Sequence, residues 1–217
     1  MEQNELPEIP KRVWNDIVFC KRNCSFQFVA GILAGFLNLA LSTLMLKIGV
    51  PLFMDTLFTV TASCFGLFGG LVAAVFSHII SFVVLGFDVP TDIPNMIFVF
   101  CSLTVVAGTR ILIHFAEKKR FSVAPAHLLM TGIALALVIS VEGGSFYVLL
   151  LRRAEYVIDN KAVSTLIYTL ITKHIPLIAS STLARIPVNM VDKLIAVFAG
   201  WYLAVICDKK SAIGRNA

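Results

Sequence analysis

Long uncharged apolar runs alternate with short charged segments along this chain of 217 residues. Residues 23–46 carry no charge, and this run exceeds the roughly 20 residues that an α-helix needs to cross a bilayer. Residues 56–87 also lack a formal charge, a length too great for one straight crossing. The sequence GLFGG at 66–70 offers a turn in the middle of that second run. The pattern therefore predicts several membrane-spanning helices.

We predict an all-α integral membrane protein with six transmembrane helices, whose ends are marked by prolines and polar residues. The predicted helices cover 25–47, 52–66, 69–86, 93–115, 125–150 and 187–207. Together they form a six-helix membrane domain at 25–207, followed by a basic tail at 208–217. The polar segment 1–24 mixes basic and apolar residues in a way that is compatible with an amphipathic helix on the membrane surface.

One stretch leaves the topology open. Residues 152–186 are basic at several positions but partly apolar, and we interpret them as a long outer connection. A re-entrant segment or a seventh crossing within 162–184 is the alternative. A seventh crossing would place Lys209 and Lys210 outside, whereas six crossings keep them inside, so six is the preferred number.

Composition and charge support this class of protein. Hydrophobic residues make up 58% of the chain and charged residues 14%, and the mean hydropathy is +0.88. A soluble domain of this size could not bury so much apolar surface. With six crossings, most basic residues fall in the segments that include both termini, which predicts cytoplasmic N and C termini. The five cysteines are scattered, and we interpret them as small apolar side chains.

Small residues recur four apart on the first predicted helix. Ala30 and Ala34 share one face, and Gly31 and Gly35 lie beside them at the same spacing. Such a pattern lets another helix approach closely in lipid. The neighbour is either another helix of the same chain or a separate membrane protein, and spacing alone leaves both open.

Three stretches together resemble the S components of energy-coupling factor (ECF) vitamin transporters. They are the A-x-x-x-A of the first helix, MDTLFTVTASCFGLFGGLVAAVFSHI at 54–79, and ARIPVNMVDKLIAVFAGWYL at 184–203. The resemblance implies a subunit of a prokaryotic cytoplasmic membrane that captures a vitamin or related micronutrient at the outer face. It also implies docking through Ala30 and Ala34 onto a transmembrane T component driven by two cytoplasmic ATPases.

Polar residues within apolar helices are the candidates for substrate binding, because they are costly in a bilayer and tend to be functional or paired. The candidates are Asn95, Glu142, Asn189, Asp192 and Lys193. With the inferred topology, Asn95, Glu142, Asn189 and Lys193 fall at a similar depth, and Asp192 lies next to Asn189 near the outer surface. For Glu142 the alternative is a structural hydrogen bond or a salt bridge to Lys193 or Arg185. For Asp192 the alternative is an interaction with the start of the last helix.

Other polar residues are weaker candidates: Asp55 as a helix cap, His78 as a packing histidine. The sequence contains no P-loop, no H-E-x-x-H and no G-x-S-x-G, and it indicates no cofactor, metal site, nucleic-acid partner or enzymatic activity. Two other functions fit the same pattern. One is a stand-alone secondary transporter or channel in which Glu142 couples ions or protons, and the other is a membrane sensor.

Overall fold

The computed structural model describes residues 22–85, 96–119, 123–153 and 161–213, and these residues form helices and no strands. Seven α-helices appear in these ranges. They are α1 (Cys24–Ile48), α2 (Leu57–Phe65), α3 (Leu67–Leu85), α4 (Val99–Lys119), α5 (Pro125–Arg153), α6 (Lys161–Thr172) and α7 (Leu177–Ile213). A 3₁₀ turn, Met96–Phe98, precedes α4. The predicted segment 1–24 lies almost entirely outside the described residues.

Five of these helices, α1, α3, α4, α5 and α7, are long and apolar enough to cross a membrane. Their lipid-facing sides carry large exposed side chains such as Val29, Leu46, Met130 and Tyr202. The interior is filled by apolar residues from several helices, including Val60, Val105, Val197 and Trp201. The chain is thus a helical, multi-pass membrane protein, as its hydropathy predicts.

The predicted second helix, 52–66, is wrong in its first half. Residues 49–56 are not helical, and the nine-residue helix α2 begins only at Leu57. Asn38 of α1 contacts Thr59, and Phe26 contacts Phe65, so α2 runs antiparallel to α1. Residues 49–66 therefore return along α1 as a discontinuous segment, non-helical over 49–56 and helical over 57–65.

The chain reverses direction between α2 and α3, where Gly66 and Gly69 pack closely against α1. The missing side chain of Gly66 leaves the space that the Gln27 side chain occupies. Gln27 accepts a hydrogen bond from the Gly69 amide through Oε1 at 3.3 Å. Phe28 stacks on Phe68, and Phe36 contacts Phe76, so α3 runs parallel to α1.

The last helix is longer than predicted. It starts at Leu177 rather than at 187, runs through Pro187 and ends at Ile213, so the predicted tail begins inside the helix. Pro187 does not end it, because α7 packs along most of α5, and packing against neighbours compensates for a missing backbone hydrogen bond in a membrane helix. Arg22 and Asp208 form an ion pair, so the start of α1 and the end of α7 lie at the same end of the bundle.

Helix α6 occupies the stretch whose topology the sequence leaves open. It has 12 residues, about 18 Å at 1.5 Å per residue, which is short for a crossing. Val163 and Ile167 are buried against Tyr147 of α5 and Ala184 of α7, whereas Tyr168 is exposed. The helix is amphipathic and packs on the end of the bundle where α5 ends and α7 begins.

Candidate functional site: a polar cavity beside the discontinuous segment

A cavity of about 350 Å³ lies beside the non-helical residues 49–56, several of which line it. Its polar lining comes mainly from Ser42, Thr43, Asp55, Thr56, His78, Arg185, Asn189 and Lys193, and its apolar lining from Leu46, Val50, Leu52, Phe53, Phe98, Cys101 and Ile139. Mixed linings of this kind, mostly apolar with a few placed polar groups, are typical of small-molecule sites.

Three lining residues come from one face of α7. Arg185, Asn189 and Lys193 are four residues apart, a spacing that aligns side chains along a helix. At 1.5 Å per residue they span about 12 Å of the cavity wall. The helical repeat of α7 therefore places these three side chains one turn apart along the cavity wall.

Lys193 of α7 binds the end of the non-helical residues 49–56. Its ammonium donates hydrogen bonds to Thr56 Oγ1 at 2.9 Å and to Asp55 Oδ1 at 3.2 Å, and it lies 2.7 Å from Asp192 Oδ2. Thr56 and Asp55 accept two of the three donors of the ammonium, and the contact with Asp192 is an ion pair. Lys193, predicted to bind substrate, therefore lines the cavity and is at the same time paired within the protein.

Asp192 stands behind this wall. Its carboxylate is fully buried and does not line the cavity. Besides the contact with Lys193, its Oδ1 accepts a hydrogen bond from the Met54 amide at 2.6 Å. Asp192, predicted to bind substrate, therefore lies behind the cavity wall, where its acceptors hold the Met54 backbone and a neighbouring cation.

Asp55 has a different position in the same cluster. It is paired with Lys193, yet 42% of its side chain remains accessible, because it borders the cavity. Asp55 does not cap α2, because Thr56 occupies the N-cap position. The Thr56 hydroxyl makes no capping hydrogen bond to the helix and instead accepts one from Lys193. Asn38 of α1 provides an acceptor for the first turn instead, since its Oδ1 accepts from the Phe58 amide at 2.9 Å.

The other predicted residue on α7, Asn189, does line the cavity. Its Nδ2 donates to Ser140 Oγ on α5 at 3.0 Å, which fixes the amide. Arg185, one turn earlier, donates to the Ser181 carbonyl at 3.0 Å, and its guanidinium lies 4.8 Å from the ring centre of Tyr147. Arg185 packs over Gly143, where the absence of a side chain leaves room for it.

Glu142 is placed next to the cavity rather than in its lining. Its Oε1 accepts from Thr104 Oγ1 on α4 at 2.7 Å, and neither Lys193 nor Arg185 forms a described ion pair with it. Its second oxygen, Oε2, is buried and meets no hydrogen-bond geometry among the described residues. The Cys101 thiol, which does line the cavity, lies within electrostatic range of Glu142, Asp55 and Lys193.

Asn95, also predicted to bind substrate, lies outside the described residues.

The small residues of α1 pack mainly against other parts of the same chain. On α1, Ala34 is buried against Ala62 and Ala73 of the same chain, and Gly31 lies against the backbone of Gly69. This packing matches the interpretation of the small residues as contacts within the chain, and it leaves Ala30, which is half-buried, as the accessible part of the predicted docking face.

Two residues that are weaker candidates by sequence, Asp55 and His78, line the cavity, as do Val50, Leu52 and Phe53, which no sequence pattern marks as functional. His78 forms a hydrogen bond with Ser102 Oγ at 3.0 Å and lies on the cavity wall. One signal was visible: Asp55 immediately precedes the long uncharged run, in a position where lipid exposure would be costly. Among the described residues, no cluster of three or more His, Cys, Asp or Glu is arranged to hold a metal ion.

These features define a multi-pass helical membrane protein with a mostly apolar cavity that carries a few polar groups and is lined by α7, the discontinuous segment and neighbouring helices. No protein-family model matches the chain, and no curated protein or solved structure is detectably similar to it.

Proposed function

We propose that this chain is the substrate-binding subunit of an ECF-type importer in a prokaryotic cytoplasmic membrane. It captures a vitamin-like small molecule in the cavity beside residues 49–56 and has no catalytic activity of its own. The observation that carries the proposal is the cavity itself, because a concave space of about 350 Å³ with placed polar groups suits a small solute.

The proposed topology has six crossings with both termini in the cytoplasm. Residues 49–66 supply the sixth crossing, since they return beside α1 between its outer and inner ends. The ion pair between Arg22 and Asp208 supports termini on one side. Ten basic residues fall in the inner segments and five in the outer ones, which agrees with the positive-inside rule.

Capture of a solute is tested by mass spectrometry of small molecules released from gently purified protein. We expect one metabolite at close to one molecule per chain. Matched preparations of Asn189→Leu, which removes a polar group of the cavity, should carry less of it, whereas Ser145→Ala on the exposed side of α5 should carry the same amount. A protein that is empty and retains nothing from a panel of vitamins would contradict the proposal.

Docking onto a T component rests on the resemblance and needs its own test. Ala34→Trp is unsuitable, because Ala34 is buried inside the chain and the variant would disturb α1. Ala30→Trp, with exposed Leu137→Trp on α5 as the matched control, separates docking from folding. We expect Ala30→Trp to abolish uptake in cells while the purified protein still binds its metabolite. Uptake equal to that of Leu137→Trp would remove Ala30 from the docking face.

A second candidate function is a stand-alone secondary transporter, and the discontinuous segment favours it. Secondary transporters commonly place their sites where helices are interrupted at mid-membrane, with charged residues nearby. The two functions differ in energy source. Purified protein in liposomes, with an imposed proton or sodium gradient and no ATPase, accumulates solute only if the second function is right.

A further inference from the structure

Arg185 places a buried guanidinium in the wall of the cavity. The Ser181 carbonyl accepts one of its N–H groups at 3.0 Å, and its central carbon lies 4.8 Å from the ring centre of Tyr147, so the side chain is held in a defined position. A guanidinium carries five N–H donors in a planar fork. It can therefore bind an acceptor inside the cavity in addition to its contacts within the protein.

The charges in the cavity wall favour an anionic acceptor. Among the described residues that line the cavity, Arg185 and Lys193 are basic and Asp55 is acidic. Lys193 is paired with Asp55 and with Asp192 behind the wall. His78 adds no negative charge in either of its protonation states. Beyond the pair of Lys193 and Asp55, a molecule in the cavity thus meets the positive charge of Arg185.

Glu142 is the carboxylate that could oppose this preference, and its position limits that effect. It lies beside the cavity and not in its lining, and its Oε1 accepts a hydrogen bond from Thr104 on α4. The guanidinium of Arg185, and not this carboxylate, is therefore the charged group that a bound molecule contacts.

The wall around Arg185 suits an apolar body that carries the anionic group. A β-carbon built on Gly143 would lie 3.3 Å from Arg185 Cδ and 3.9 Å from Phe98 Cε1, so the arginine and the phenylalanine ring are close neighbours. Ile139, one turn before Gly143, adds apolar wall. Asn189, one turn after Arg185, adds an amide with two N–H donors.

We propose that the cavity selects organic carboxylates and that Arg185 binds the carboxylate group. This inference rests on the proposed function and specifies the substrate class of the same cavity. Pairs of arginine and carboxylate are frequently bidentate, with two parallel N–H···O bonds, and they strengthen where bulk water is excluded. Lysine keeps the charge but lacks the planar fork, so the geometry is specific to arginine.

Three probes that share one ring and differ in charge test this selectivity: 4-methylbenzoate, 4-methylbenzamide and 4-methylbenzylamine. Dissociation constants are measured by nuclear magnetic resonance titration of the purified protein in detergent, with protein-free micelles as the baseline. We expect the benzoate to bind at least about tenfold more tightly than the amide or the amine, equivalent to about 1.4 kcal/mol. The amide has nearly the shape of the benzoate, so this comparison isolates the charge.

Arg185→Gln should reduce the preference for the benzoate to about twofold or less, and Arg185→Lys should keep only a part of it, about threefold. Arg152→Gln is the matched control, because it removes an exposed positive charge of α5 that does not line the cavity. It should preserve the full preference. Size-exclusion profiles and thermal midpoints verify that each variant is folded.

The inference is overturned if the wild-type protein prefers the amide or the amine, a result that needs no variant. It is also overturned if none of the three probes binds, or if folded Arg185→Gln keeps the full preference. Failure of the proposed function is a different result, the absence of any captured metabolite. A captured metabolite without a carboxylate would leave solute binding in place and refute the role of Arg185.

Discussion

Replacing Lys193 with methionine should strongly destabilise the protein. The variant keeps a side chain of similar length but removes the ammonium that Asp55, Thr56 and Asp192 share. Removing one partner of a buried ion pair costs about 3–5 kcal/mol, because the other charge is left uncompensated. Asp192 retains its hydrogen bond from the Met54 amide, and Asp55 remains partly accessible, so we expect a loss near the lower end, about 3 kcal/mol.

The measurement is equilibrium unfolding in mixed detergent micelles, followed by the fluorescence of Trp201, which is 4% exposed in the folded protein. Lys47→Met is the matched control, since Lys47 lies exposed in the last turn of α1. Its loss should be about 0.5 kcal/mol or less. Asp192→Asn combined with Lys193→Met should recover a substantial part of the lost stability, because the uncompensated carboxylate is then gone.

Two results would refute this reasoning. One is an unfolding curve of Lys193→Met that coincides with that of Lys47→Met, since Lys193 would then contribute no more than an exposed lysine. The other is a double variant no more stable than Lys193→Met alone. In that case the loss would come from the cavity left by the ammonium rather than from the buried carboxylate of Asp192.

The remaining predictions concern packing and topology. Gly31→Val should lose about 1–3 kcal/mol of unfolding free energy, because a β-carbon at this position would approach α3 to 2.7 Å; Ala40→Val on the exposed face of α1 should change little in the same unfolding assay. Asn38→Leu should cost a similar 1–3 kcal/mol, because the first turn of α2 loses its acceptor and a buried donor is left without one; wild-type stability would contradict this. In variants that keep only Cys24 or only Cys207, a membrane-impermeant maleimide should label both from the same face of oriented vesicles, and labelling from opposite faces would refute an even number of crossings.

The long helices could be predicted from the sequence because their signal is local. Apolar runs of sufficient length define α1, α3, α4 and α5, and the structure confirms their positions to within a few residues where it describes them. The sequence predicts the start of the last helix at 187, because proline is common in the first turn of a helix. That error is physical: in a bundle, contacts with α5 outweigh the local effect of a proline, and no local pattern reports those contacts.

The cavity could be predicted only in part. Asn189 and Lys193 were identified because the helical repeat places them on one face of α7. Asn189 pairs with Ser140, 49 residues away. The partners of Lys193 and Asp192 are more distant, since Asp55 and Met54 each lie 138 residues away along the chain. Such pairing depends on how 49–56 lies against α7, and hydropathy carries no information on that.

The non-helical residues 49–56 also explain why Asp55, Asp192 and Lys193 lie together at this depth in the bundle. Backbone groups that are not in a helix need partners where water is excluded, and each unsatisfied group is costly there. Asp192 supplies an acceptor to the Met54 amide, and Lys193 in turn neutralises Asp192 while binding Thr56 and Asp55.

The same non-helical residues border the cavity, and Val50, Leu52 and Phe53 form one wall of it. With the proposed function, the cluster of Asp192 and Lys193 acts on binding indirectly, because it holds the Met54 backbone and Asp55 beside that wall. Asp192→Asn should weaken binding of a captured metabolite even though Asp192 does not line the cavity, whereas an equally destabilising substitution elsewhere, such as Gly31→Val, should leave the affinity of the folded protein unchanged. Equal affinities for the two variants, measured with the metabolite recovered from the wild-type protein, would show that the cluster stabilises the fold without shaping the cavity.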